Sequence, residues 1–239
     1  MEDKMKNLLL ISILITAVTS MAVTGTGGFS LALGLPQNEF QDNIDRLGFG
    51  VNFDFGAKFN PYFALMGAFG LQGYGTEKRT EPFSTTIPDV FVEVTTNNNF
   101  LFFQLAPRIY APFPFVTPYI EGRVGLNYLW TDTRIENIRD DEEIASSTNF
   151  DDVTHSYGGG GGLLIKAFDK SAKPKSKRES ENSPNAVYID IRAIYAMGGQ
   201  AEYLKEGSIH RDSNGQVLYD VSQSRTNLLT ISAGVAVDF

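Results

Sequence analysis

Nine charged side chains stand inside stretches that are otherwise apolar or small: Asp54, Lys58, Arg108, Glu121, Arg123, Lys166, Asp190, Arg192 and Asp238. Five are basic and four acidic, so the set is close to neutral. Charges withdrawn from bulk water need partners, and the chemistry open to this set is mutual neutralisation, an ion-pair network filling a closed interior. A second group, His155 with Ser156 and His210 with Ser208, has the residue types of a base and a nucleophile. Neighbours in a strand face opposite sides, so His155 and Ser156 cannot pair unless the strand bulges. Solvated loop histidines are the simpler reading. A third group is acidic: Asp140, Asp141, Glu142, Glu143, Asp151 and Asp152. Clustered carboxylates bind hard cations, but the glycine-punctuated spacing of a calcium loop is missing. This cluster reads as a solvated surface loop, with bridging of divalent ions as the functional alternative. No catalytic, cofactor or metal residue is assigned.

The elements that must position the nine charges are strands. From Leu229 to the end, Leu229, Ile231, Ala233, Val235, Val237 and Phe239 share one face, while Thr230, Ser232, Gly234, Ala236 and Asp238 share the other. Period-two alternation of this kind marks a strand with one oily side. Leu47 to Phe59 alternates just as strictly. The same pattern predicts strands over Gly27–Leu35, Leu47–Phe59, Tyr62–Thr76, Asn99–Tyr110, Pro118–Thr131, Ser156–Phe168, Ala186–Gly198 and Arg225–Phe239, eight in all. The sixth has the weakest signal, because Gly158 to Gly162 carry no parity.

The connections alternate too. Asn60-Pro61 and Ala111 to Thr117 are short, whereas Pro36 to Arg46, Glu77 to Asn98, Asp132 to His155 and Gly199 to Ser224 are long and polar. The exception is Asp169 to Asn185, Lys/Ser/Pro-rich and expected to be disordered. Asn214-Gly215 suits a type I′ turn, so the seventh and eighth strands are expected to continue beyond the barrel as a hairpin. Pro88, Val90, Val92 and Val94 suggest an extended edge in the second long loop, open to a partner strand.

Alternation alone does not say which face is inside. Bulk decides, because an eight-stranded barrel has an interior just wide enough for its own side chains. Phe49, Phe53, Phe55, Phe63, Phe69, Phe103, Tyr128 and Trp130 would overfill it, so their face is outward and the charged face inward. Arg108, Glu121 and Arg123 are expected to be cross-strand neighbours, with Asp190 and Arg192 at a similar height. Tyr128, Trp130 and Tyr195 fall at one end, and Phe29, Phe59, Phe63 and Phe239 at the other, as two aromatic girdles.

At 239 residues and 20% charge the bulk composition is that of an ordinary domain, as a membrane barrel's also is. A net charge of -8 argues against nucleic acid as a partner. The absence of cysteine excludes disulfides, thiolate metal sites and a lipidated N-terminal Cys. Lys4 and Lys6, the apolar run Leu8 to Val18 and Ser20-Met21-Ala22 read as a cleaved signal peptide over 1–22, leaving a barrel domain over 23–239. Translation from either Met1 or Met5 supplies that leader. A membrane anchor helix is the alternative, but a run of about eleven residues is short of the ~20 that cross a bilayer.

Together, the leader, eight alternating strands, short turns opposite long loops and the terminal Phe239 resemble the OmpA, OmpX and OmpW type of small bacterial outer-membrane barrel. The resemblance implies an all-β fold, an eight-stranded antiparallel up-and-down transmembrane β-barrel in the outer membrane. It also implies that Phe239 is the signal read by the barrel-assembly machinery, and that lipids and lipopolysaccharide surround a monomer. Members of the type are surface-interaction proteins, narrow channels or lipid-modifying enzymes, so fold does not fix function. The expected role is structural or surface interaction through long acidic loops over an interior plugged by Asp54, Arg108, Glu121, Arg123, Asp190 and Arg192. A narrow channel for small or hydrophobic solutes is the alternative.

Overall fold

The computed structural model describes residues 23–82, 91–137, 143–170, 184–211 and 216–239. The elements are β1 (Thr24–Pro36), α1 (Glu39–Asn43), β2 (Gly48–Asn60), β3 (Phe63–Pro82), β4 (Phe91–Tyr110), β5 (Val116–Asn137), β6 (Glu143–Asp169), β7 (Ala186–Gly198), β8 (Gln200–Arg211), β9 (Val217–Arg225) and β10 (Leu228–Asp238). Eight of the strands form a closed barrel in the order β1-β10-β7-β6-β5-β4-β3-β2. All ladders are antiparallel, and the barrel closes at β1, where Phe29 is level with Phe53 of β2 and with Val235 of β10. Closure leaves no strand edge in the wall. The expected signal peptide and the Asn214-Gly215 turn lie outside the described residues, as does most of the Asp169 to Asn185 turn.

Three of the four connections expected as long loops are largely strand. The β3/β4 ladder runs on from Thr76↔Asn97 to Pro82↔Phe91, the β4/β5 ladder reaches Val92↔Asn137, and the β5/β6 ladder reaches Glu136↔Glu143. Four strands thus rise above the barrel as an upper sheet. Their sequence is mostly polar, and its few apolar residues, such as Val92, Val94 and Ile135, are too sparse to show a period-two contrast. The partner-strand edge expected in the second loop is corrected for Val92 and Val94, which are buried in β4 and paired on both sides, while Pro88 and Val90 lie outside the described residues.

The hairpin predicted near Asn214-Gly215 is present but does not prolong the wall. β8 and β9 form their own two-stranded sheet, split from β7 at Gly199 and from β10 at Thr226 and Asn227. β8 folds over the upper sheet instead, with the Glu202 N–H donating to Asp152 (2.8 Å) and Arg79 donating to the Ile209 carbonyl (2.9 Å). The glycine run of β6 also finds its parity. Gly158, Gly160 and Gly162 are paired with Arg123, Glu121 and Tyr119, all inward-facing, while Gly159 and Gly161 lie on the outer wall.

Candidate functional site

The six residues read from the sequence as an internal network come from β2, β4, β5 and β7 and meet at one level of the lumen. None is more than 6% exposed. Arg108 and Glu121 are directly opposite across the β4/β5 ladder. Glu121 accepts from two guanidinium groups, Arg108 Nε at Oε2 (2.7 Å) and Arg123 Nε at Oε1 (2.8 Å), and the Nη2 of each lies in ion-pair contact with the same oxygen at 2.6 Å. A hydrogen bond between a guanidinium and a carboxylate is charge-assisted and so of the strong kind. Across the lumen Arg192 binds Asp54, donates to Ser232 (3.0 Å) and Ser30 (3.2 Å), and lies 3.6 Å from Asp190. Asp54 links the two halves, at 3.8 Å from Arg108 and 3.9 Å from Arg123. Asp190 accepts from the Tyr119 hydroxyl (2.7 Å), and Arg108 lies over the Tyr119 ring at 4.4 Å. Three positive and three negative charges face each other, which is the arrangement low-dielectric burial demands.

Small neighbours make room for this layer. Asp54 is flanked across the sheet by Gly28 and Ala68, Glu121 by Gly160, Arg123 by Gly158, and Asp190 by Gly234. A Cβ at Gly162 would come within 2.6 Å of the Tyr119 hydroxyl and 2.7 Å of Arg192 Cβ. Gly162 thus leaves room beside Arg192 and Tyr119, while a Cβ at Gly158 or Gly160 would meet the β7 backbone, at the carbonyl oxygens of Tyr195 and Ala193 respectively. The other three inward charges are lower. Lys58 pairs with Asp238 at 2.6 Å between the Tyr110 and Tyr188 rings, and Lys166 with Asp169 at 2.9 Å.

Above the charges the lumen turns polar, then apolar. Asn52, Gln72, Gln104, Asn127 and Ser156 form the polar level, where Gln104 donates to Ser156 at 2.8 Å. At the top, Phe40 of α1 is fully buried among Tyr74, Phe100, Tyr203, Leu129 and Leu228. Its ring centroid is 5.5 Å from Tyr203, edge-on, and 5.8 Å from Tyr74. Sequence reading passed over this aromatic cap. The available signal was Phe40 and Ile44, four apart in a polar segment and so able to share one face of a helical turn.

The outer wall has the opposite character. Phe49, Phe53, Phe55, Leu65, Phe103, Leu105, Ile120, Val124, Leu126, Ile189, Ile191, Ile231 and Val235 are all exposed, and they encircle the barrel. Tyr128 stacks on Trp130 at 5.3 Å at the upper end, and Phe59 on Phe63 at 5.8 Å at the lower. No soluble barrel leaves a continuous apolar belt of this extent to water, and closed barrels satisfy all wall hydrogen bonds internally. The chain is an eight-stranded transmembrane β-barrel. No family model and no curated protein matches it. Solved structures do. Ail, the attachment invasion locus protein of Yersinia pestis, crystallised in complex with the heparin analogue sucrose octasulfate, is similar at 15% identity and a TM-score of 0.40, over 91% of this chain and 97% of that one. Neisserial surface protein A is similar at 11% identity and a TM-score of 0.40, over 91% and 97%. A major outer membrane protein from Thermus thermophilus is similar at 15% identity and a TM-score of 0.42, over 89% and 99%. At such values it is the strand register that carries the fold.

The remaining sequence candidates are dispersed over this barrel. Ser156 is buried in the lumen, while His155 is exposed on the outer wall. Ser208 accepts from the Lys205 N–H at 3.1 Å, and His210 lies 3.8 Å from Asp220. Of the acidic group, Glu143 is 3.1 Å from Arg134 and Asp152 holds the hairpin, whereas Asp140, Asp141 and Glu142 lie outside the described residues. Phe239 is exposed at the lower rim, its N–H donating to the Gly25 carbonyl at 2.9 Å.

Proposed function

We propose that the chain is a bacterial outer-membrane barrel whose interior is closed by the six-charge layer, and whose role is structural or surface interaction through its upper extensions. In this reading residues 1–22 are a signal peptide, 23–239 the barrel, the lower end is periplasmic, and Phe239 is the mark recognised during assembly. The partners are outer-membrane lipids, lipopolysaccharide and the assembly machinery, and the barrel works as a monomer.

The observation that carries the closed interior is Glu121 held between Arg108 and Arg123 while Asp54 joins them to Arg192 across the lumen. Opening a path would separate buried charges from their partners, which is costly. The surface role is supported by Val217, Leu218, Tyr219 and Val221, apolar side chains exposed on a hairpin beyond the lipid belt, since such patches mark interaction sites. The test is swelling of liposomes containing the purified barrel in small sugars such as arabinose. Swelling no faster than in empty liposomes is expected. Porin-like swelling would transfer the assignment to a narrow channel.

A further inference from the structure

Where the lipid-facing wall of β2, β3 and β4 meets the upper sheet, the surface is cut by a groove of about 640 Å3. Its floor is Leu47 and Phe49, and Phe49 is 68% exposed. Its middle is bare because β3 carries Gly73 and Gly75 at an irregularity in the β3/β4 ladder. Gly75 has φ 137, and a Cβ there would come within 3.1 Å of Arg46 Cδ, so the arginine stem lies across it. The roof is hydrogen-bonding and neutral. Thr76 donates to Asn97 (2.8 Å), while the Asn97 and Asn99 amides donate to Asp132 behind them (3.2 and 2.7 Å). Asn99 is level with Trp130 in the β4/β5 register, which puts the groove at the height of an aromatic girdle, where hydrocarbon gives way to headgroups.

We propose that this groove seats one phosphorylated glycolipid of the outer leaflet, with an acyl chain on Leu47 and Phe49, a phosphate against Arg46, and a sugar under Thr76, Asn97 and Asn99. The groove is continuous with the apolar belt, so a lipid is the molecule already in reach. Among the described residues, Arg46 is the only ionic one lining it, and a guanidinium matches phosphate geometry. An adjoining cavity of about 440 Å3 adds Lys205, with Asp45 and Glu77, of which Glu77 accepts from the Gly207 N–H at 3.0 Å. Neutral amides and a hydroxyl suit a sugar, which is why a glycolipid fits better than a simple phospholipid. The inference rests on the upper end facing the outer leaflet.

The experiment places the whole barrel in phosphatidylcholine nanodiscs doped with either lipid A or phosphatidylglycerol, and counts retained lipid by native mass spectrometry after gentle detergent extraction. One lipid A per barrel is expected, with far less phosphatidylglycerol retained. Arg46→Gln should weaken retention about tenfold, as expected for losing one charge-assisted hydrogen bond. Gly73→Leu should abolish it, because a Cβ there meets nothing nearer than Asn99 Oδ1 at 4.0 Å and the added side chain fills the groove without straining the wall. Equal retention of lipid A by wild type and both variants, or equal retention of the two lipids by wild type, overturns the proposal. Nanodiscs offer lipid at both ends, so the outcome is independent of orientation. Cell-surface labelling of an upper-sheet position tests orientation separately.

Discussion

Two levels of the lumen are filled by opposite chemistry and held in opposite ways. In the middle, six charges project from four wall strands, and each sits on a ladder whose hydrogen bonds are those of the barrel itself. At the top, Phe40 is delivered by a five-residue helix in a connection, tied down by the Gln37 N–H to the Asn227 carbonyl (2.9 Å) and by Glu39 accepting from the Arg225 N–H (3.2 Å). The charged layer can move only if the wall opens. The cap can leave while the wall stands, because local openings involve only the contacts they break.

The sharpest way to break this comparison is to strand one charge. Glu121→Ala leaves Arg108 and Arg123 facing each other without their shared carboxylate, and should cost about 3–5 kcal/mol of unfolding free energy, less where water enters. Adding Arg123→Ala should restore part of the loss. Denaturant unfolding in lipid, followed by the fluorescence of the single tryptophan Trp130, measures both, and a double variant no better than the single contradicts the network.

A charge placed in lipid gives the scale for that number. Leu126→Arg, on the exposed wall, should cost roughly 2–4 kcal/mol if it lies near the bilayer midplane. If it costs nothing, the belt does not face hydrocarbon.

The cap should matter least for global stability. Phe40→Ala is expected to shift barrel unfolding by roughly 0–1 kcal/mol, because α1 is a local unit, yet to speed proteolysis between Pro36 and Gly48. A loss as large as that of Glu121→Ala would mean that the cap belongs to the cooperative core, and the contrast between the two levels would collapse.

How much of this was legible in the sequence follows the same division. The wall was readable because one face meets lipid and the other does not, so Leu47 to Phe59 and Leu229 to Phe239 alternate without exception. The charge layer was readable because charges such as Arg108 and Glu121 stand at inward parity, and a short turn brings those two level. The upper sheet was hidden, since its residues are mostly polar, Thr95, Asn97 and Arg134 among them, and Val92 and Val94 are too few to show a period. The departure of β8 from the wall at Gly199 was hidden as well: the hairpin signal at Asn214-Gly215 fixes a turn, not the sheet to which its arms belong. Phe40 was lost among polar neighbours because a cap contributed by a single helical turn has too few residues to show a period.

Planar-bilayer conductance of three proteins tests the central claim that the charged layer, not the cap, closes the barrel. Wild type and Phe40→Ala should both show no steady conductance. The fourfold variant with Glu121, Arg123, Asp190 and Arg192 replaced by Ala leaves only Asp54 and Arg108, 3.8 Å apart, and should conduct measurably and in a salt-dependent way. Steady conductance in wild type, opening by Phe40→Ala alone, or a fourfold variant as silent as wild type would each contradict that claim.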